Sequence, residues 1–133
     1  MQTPVVPFFI DQVYQGFATA RGLARMTADG LTLEFEVKDA VVGVLRTGPQ
    51  QVHIQIDQLD RVELITGWFT TRLRIRTRTM AALSELPGEH TDCIQLGVKR
   101  QDRENAQALA SAIALRLSQR RLEELGRGPD AVT

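Results

Sequence analysis

Four arginines recur at every second position in one short stretch, Arg72, Arg74, Arg76 and Arg78, within TTRLRIRTRT. Alternation with Leu73 and Ile75 predicts an extended chain with the guanidinium groups on one face and the apolar pair on the other. Such a row can grip phosphates or a carboxylate-rich partner through forked N–H donors. It is equally the solvated face of a strand, with acids such as Glu34, Glu36, Asp57 or Glu63 across the sheet, and exposed pairs of that kind contribute about 0–1 kcal/mol each. The solvated-face reading is the expectation, and the anion or lipid patch is its alternative. Single-stranded nucleic acid is disfavoured as a partner, because no aromatic residues alternate with the arginines as stacking platforms.

Trp68 and Phe69 follow Gly67 at the expected turn between two strands. The expectation is that at least one folds back onto the core or the N-terminal segment. If both stand out, they form an anchor pair for a partner protein or a membrane. Phe8 and Phe9, in VVPFFI, join them as a candidate partner surface.

The remaining reactive side chains do not assemble into a motif. His53 and His90 are the only two histidines, far apart in sequence, with no HxxH or CxxC spacing that would hold a metal. Asp57 and Asp60 flank a turn, where aspartate is a good turn residue. Gly43, Gly48 and Gly67 are isolated, so no phosphate-cradling loop is seen. Cys93 is the single cysteine, expected to be a small structural residue in a strand, and it excludes an internal disulfide. No catalytic site, cofactor or metal is expected.

Composition narrows the class. The chain has 133 residues, 43% of them apolar and 24% charged, with 16 basic and 16 acidic side chains. This is one ordinary globular domain with no global charge to draw in nucleic acid or an anionic membrane. The start, MQTPVVPFFI, is too short and too broken by proline for a transmembrane helix or a secretory signal. The expected location is cytoplasmic.

The elements that would position these residues are mostly strands. Pro4 and Pro7 favour extended chain or a helix starting near Pro7, and Phe9, Val13 and Phe17 have the spacing of a short amphipathic helix over about residues 7–16, ended by Gly16. Residues 17–28 predict a strand with a bulge or kink at Gly22, then a hairpin turn at Asp29-Gly30. Leu31, Leu33, Phe35 and Val37 alternate in the next strand. A long connection over residues 38–50 contains VVGVL, a candidate strand extension. Val52, Ile54 and Ile56, then Val62 and Leu64, then Leu73 and Ile75 mark three strands. Residues 79–85 fit either a strand or a helical turn. Pro87-Gly88 marks a turn, and Ile94, Leu96 and Val98 mark the last strand. Ala106, Leu109, Ala110, Ile113, Ala114 and Leu117 form the stripe of an amphipathic helix, with Asp102 as N-cap and Gly126 as its stop. The fold class is mainly β with a C-terminal helix (α+β): a six- or seven-stranded antiparallel bent sheet or partly open barrel, capped by one long amphipathic helix.

This order of elements, carried by IQIDQLDRVELITGWFTTRLRIRTR and CIQLGVKRQDRENAQALASAIALRL, resembles the pleckstrin-homology-like (PH-like) superfold, especially its bacterial versions. The resemblance covers roughly residues 17–122. It implies a PH-like domain over 17–125, an N-terminal extension over 1–16 that packs on the domain or a neighbour, and a flexible tail over 126–133. It also implies a non-enzymatic binding or scaffold role, through protein–protein contact or self-association. The helix lacks the tryptophan of eukaryotic relatives, and Arg21 and Arg25 are answered by Glu34 and Glu36 across the first hairpin. Peripheral binding of anionic lipid or phosphate through the arginine face is therefore the alternative.

Overall fold

The computed structural model describes residues 4–13, 18–39, 45–88 and 90–132. Seven antiparallel strands form one sheet: β1 (Val5–Val13), β2 (Ala18–Thr27), β3 (Gly30–Asp39), β4 (Leu45–Gln55), β5 (Leu59–Thr66), β6 (Thr71–Thr77) and β7 (Cys93–Val98). Their spatial order is β4-β3-β2-β1-β7-β6-β5, so β4 and β5 are the edges and the sheet is not closed into a barrel. One long helix, α1 (Arg103–Val132), ends the chain. The class expected from sequence, mainly β with a C-terminal helix, is the one observed. No helix among the described residues is long and apolar enough to cross a membrane.

Strand alternation builds the core. Val6, Phe8 and Ile10 of β1, Ala20 and Ala24 of β2, Leu31, Leu33, Phe35 and Val37 of β3, and Leu73 and Ile75 of β6 all point inward and are buried. One face is packed and the other wet, as period-two sequences require. The helix lays Ala106, Leu109, Ala110, Ile113 and Leu117 against this face, chiefly along β5 and also across β1, β2 and β6. The alanines on the stripe let the helix axis come close to the sheet. Ala114, expected on the stripe, is exposed instead. It lies a quarter-turn round from Ile113 and so outside the narrow buried face.

Residues 5–13 depart most from expectation. They form neither a helix over 7–16 nor a cover on the domain's edge. They are the middle strand, pairing with β2 along Val5↔Arg25 to Val13↔Ala18 and with β7 at Phe9↔Gly97. The burial of Val6, Phe8 and Ile10 has a period of two, and it outweighs the helical spacing of Phe9 and Val13. Without β1, the β2–β4 and β5–β7 halves lose the strand that joins them. Gly16 and Phe17 lie outside the described residues, as do Val41 to Val44 of the expected VVGVL extension.

Smaller shifts have local causes. Gly22 is not a bulge: β2 keeps continuous register with β3 through Gly22↔Phe35. A Cβ there would lie 1.8 Å from the Glu34 carbonyl oxygen, so glycine is needed for close backbone approach. The first turn is Ala28-Asp29, one residue earlier than expected, and Gly30 opens β3 opposite Gln55. Residues Met80–Leu83 form a 3-10 turn, which settles the helical alternative for residues 79–85. α1 runs through Gly126 to Val132, past the stop expected at that glycine.

Candidate functional site

The outer face of the sheet and its loops hold every candidate but Phe8. Arg72, Arg74 and Arg76 do line one face of β6, opposite Ile65, Glu63 and Arg61 of β5. Arg78 lies just beyond the strand, where its backbone N–H donates to the Gln58 carbonyl. Arg74 is matched by Glu63, with Nη1 3.3 Å from Oε1. Glu34 is engaged elsewhere, paired with Arg25. The ladder is thus partly neutralised across the sheet, as a solvated strand face would be. Arg61 stands directly across from Arg76, and neither is in any of the ion pairs seen among the described residues. That end of the ladder is its most cationic part.

The hairpin joining β5 to β6 gives the clearest departure from expectation. Gly67 N–H donates to the Thr70 carbonyl at 2.7 Å, which closes a tight tip. Trp68 is 91% exposed and Phe69 98% exposed, so neither folds back. A turn this tight gives its two middle side chains nothing to pack on. Large aromatic side chains left in water are the informative exception to ordinary burial, because covering either would gain roughly 1.5–3 kcal/mol. The tip stands over a shallow recess that also involves Val98, Arg100 and Arg103. No carboxylate lines that recess.

Phe8 and Phe9 part company. Phe8 is buried in the core and presents no partner surface, a consequence of β1 being a strand with alternate faces. Phe9 is half-buried on the outer face. Its ring occupies the space a side chain at position 97 would fill: a Cβ on Gly97 would lie 2.3 Å from Phe9 Cε2. Phe9 also borders an open groove of about 540 Å³, which involves Pro7, Asp11, Arg21, Lys99 and Asp102 as well. Sequence reasoning missed this groove, since it is made by β1, β2 and the β7–α1 connector, which only the fold brings together.

The histidines are structural. His53 of β4 sits opposite Thr32 of β3, with Nδ1 2.8 Å from Thr32 Oγ1 and Nε2 3.2 Å from Asp29 Oδ1. The Thr27 hydroxyl donates to the same Asp29 oxygen. The order hydroxyl–imidazole–carboxylate is that of a nucleophilic triad, but Thr32 is buried, 2% exposed. The network instead ties the β2–β3 turn to the edge strand. His90 Nε2 meets the Leu86 carbonyl at 2.8 Å and holds the loop ahead of β7. Cys93 is partly buried opposite Arg76. Among the described residues no three His, Cys, Asp or Glu side chains gather to hold a metal ion.

No protein-family model matches this chain, and no curated protein and no solved structure matches it either.

Proposed function

We propose that this chain is a non-enzymatic, PH-like binding and scaffold module whose contact surface is the β5–β6 hairpin tip. The observation that carries this reading is the near-complete exposure of adjacent Trp68 and Phe69 on a tight, hydrogen-bonded turn. The seven-strand order and the C-terminal helix support the PH-like assignment. The rigid sheet below the tip presents both rings without the ordering cost that a mobile loop would carry.

The test compares the stability of the wild type and W68S/F69S by chemical denaturation of dilute protein, at a concentration where copies are apart and association adds nothing to the unfolding free energy. Side chains kept for contact rather than for the fold leave the unfolding free energy within about 0.5 kcal/mol. A loss of roughly 2 kcal/mol or more, the size expected for buried aromatics, assigns the pair to the fold and removes the contact surface.

A second reading has one observation in its favour. Arg61 and Arg76 face each other across β5 and β6 with no acid between them, a geometry suited to phosphate or an anionic headgroup. It predicts salt-sensitive phosphate binding that falls in R61Q/R76Q and is untouched in R74Q, whose arginine already has Glu63.

A further inference from the structure

We infer that a second copy of this chain adds to the open edge of β5, strand against strand and antiparallel, about a two-fold axis through Val62. The inference goes beyond the reading of the hairpin tip and does not draw on it. β4 and β5 are the two edges of the sheet. β4 contains Pro49, which has no N–H to give to a ladder. β5 has no proline from Leu59 to Thr66. The helix meets β5 through the buried stripe on the inner face.

The register fixes which backbone groups face the open side. In an antiparallel pair, residues that exchange backbone hydrogen bonds alternate with residues that do not. Gly67 N–H donates to the Thr70 carbonyl across the hairpin. By that alternation Ile65, Glu63 and Arg61 turn their N–H and C=O groups towards Arg72, Arg74 and Arg76 of β6. Asp60, Val62 and Leu64 turn theirs to the open side. The Asp60 carbonyl bears this out, since it accepts from Arg121 Nη2 at 3.1 Å, a donor outside the sheet. A carbonyl oxygen keeps a second lone pair for a ladder bond. The register shift between Leu59 and Arg61 ends the contact at Asp60, so the ladder spans residues 60–64 of each copy.

Charge selects the register and the occupant. Centring the ladder on Val62 sets Arg61 of each copy opposite Glu63 of the other. Moving the centre to a neighbouring residue sets Arg61 against Arg61 or Glu63 against Glu63. Opposite charges support a cross-strand pair, and like charges directly opposite destabilise it. Arg61 faces Arg76 in its own chain and is in none of the ion pairs seen among the described residues. The second copy brings the carboxylate that Arg61 lacks. Each Glu63 then lies between Arg74 of its own chain and Arg61 of the other. Main-chain bonds supply affinity, as in strand addition generally. The contact uses the same residues from both copies, so it closes as a dimer and leaves no β5 edge open. A free phosphate would answer Arg61 and Arg76 but would leave the open backbone of β5 unpaired.

Sedimentation equilibrium over a concentration series is the test, run on the wild type, on R61E, on E63R and on an equimolar mixture of the two variants. Circular dichroism confirms that each variant is folded, and both side chains lie on the wet face of the sheet. The expected result is a wild-type dimer. Its dissociation constant rises about tenfold or more in R61E and in E63R, each of which sets like charges face to face twice. The mixture restores association, because each chain then carries the charges that the other needs. Hydrogen exchange of the Val62 and Leu64 amides slows as the wild type is concentrated. A wild type that stays monomeric at the highest concentration overturns the inference. So does a dimer unchanged in R61E, or a mixture that associates no better than either variant alone. A dimer lost in W68S/F69S but kept in R61E belongs to the hairpin tip and overturns the edge contact. Failure of the tip reading itself shows separately, as the stability loss described above.

Discussion

Gly22 has no room for a methyl group. A Cβ would meet the Glu34 carbonyl oxygen at 1.8 Å, and backbone cannot move aside as a flexible side chain can. Gly22→Ala should therefore destabilise by about 3 kcal/mol, read by urea denaturation. An unchanged midpoint would mean that β2 and β3 are not so close. His53 is a second local test. Its removal leaves the buried Thr32 hydroxyl without the imidazole it faces, so His53→Ala should cost about 1–3 kcal/mol, and a neutral result would show that the Thr32–His53–Asp29 network is not formed. Neither effect was legible in the sequence. Gly22 in a strand pattern signals a special site without saying whether it is a bulge or a close approach. The pairing of Thr32 with His53 depends on the register of β3 against β4, which crosses a long connection. What could be read at this scale was the alternation itself: Leu73 and Ile75 in, Arg72, Arg74 and Arg76 out.

At the scale of elements, β1 and α1 contrast. The helix was legible because its buried stripe repeats at three and four over Ala106, Leu109, Ala110, Ile113 and Leu117, with no competing period. Leu109→Ala should cost 2–5 kcal/mol, measured by thermal or chemical unfolding; a loss under about 0.5 kcal/mol would place the helix off the sheet. β1 was not legible because VVPFFI is apolar on both faces, so period two was hidden and Pro7 pointed towards a helix start. Its outer positions Val5, Pro7 and Phe9 are apolar too, although only Val6, Phe8 and Ile10 are buried. Phe8→Ala separates the two placements. As a core residue of the central strand it should cost about 3–5 kcal/mol, whereas in an extension laid on the surface the loss would be small. The end of α1 was misjudged for a related reason: Gly126 is a common stop but not an obligatory one, since a glycine inside a helix costs only about 1 kcal/mol.

The described residues make an apolar core from one sheet and one helix, and they leave the Trp68 and Phe69 rings in water outside it. The sheet's class and six of its seven strands followed from the alternating runs, and the helix from the change of period after β7. The groove beside Phe9 did not, because three segments distant in sequence build it. The tip was half legible: Thr66-Gly67-Trp68 marked the turn, but a turn signal does not say which way its side chains face. In the structure the arginine face is partly answered by Glu63, while Trp68 and Phe69 stay almost wholly exposed among the described residues.

The most direct measurement is acrylamide quenching of Trp68 fluorescence in dilute protein, where copies are apart. An exposed Trp68 gives the red-shifted emission of a solvated indole, quenched nearly as readily as free tryptophan. A blue-shifted, poorly quenched emission at the same dilution would contradict it, because Trp68 would then belong to the core of its own chain and the tip would have no ring to offer a partner.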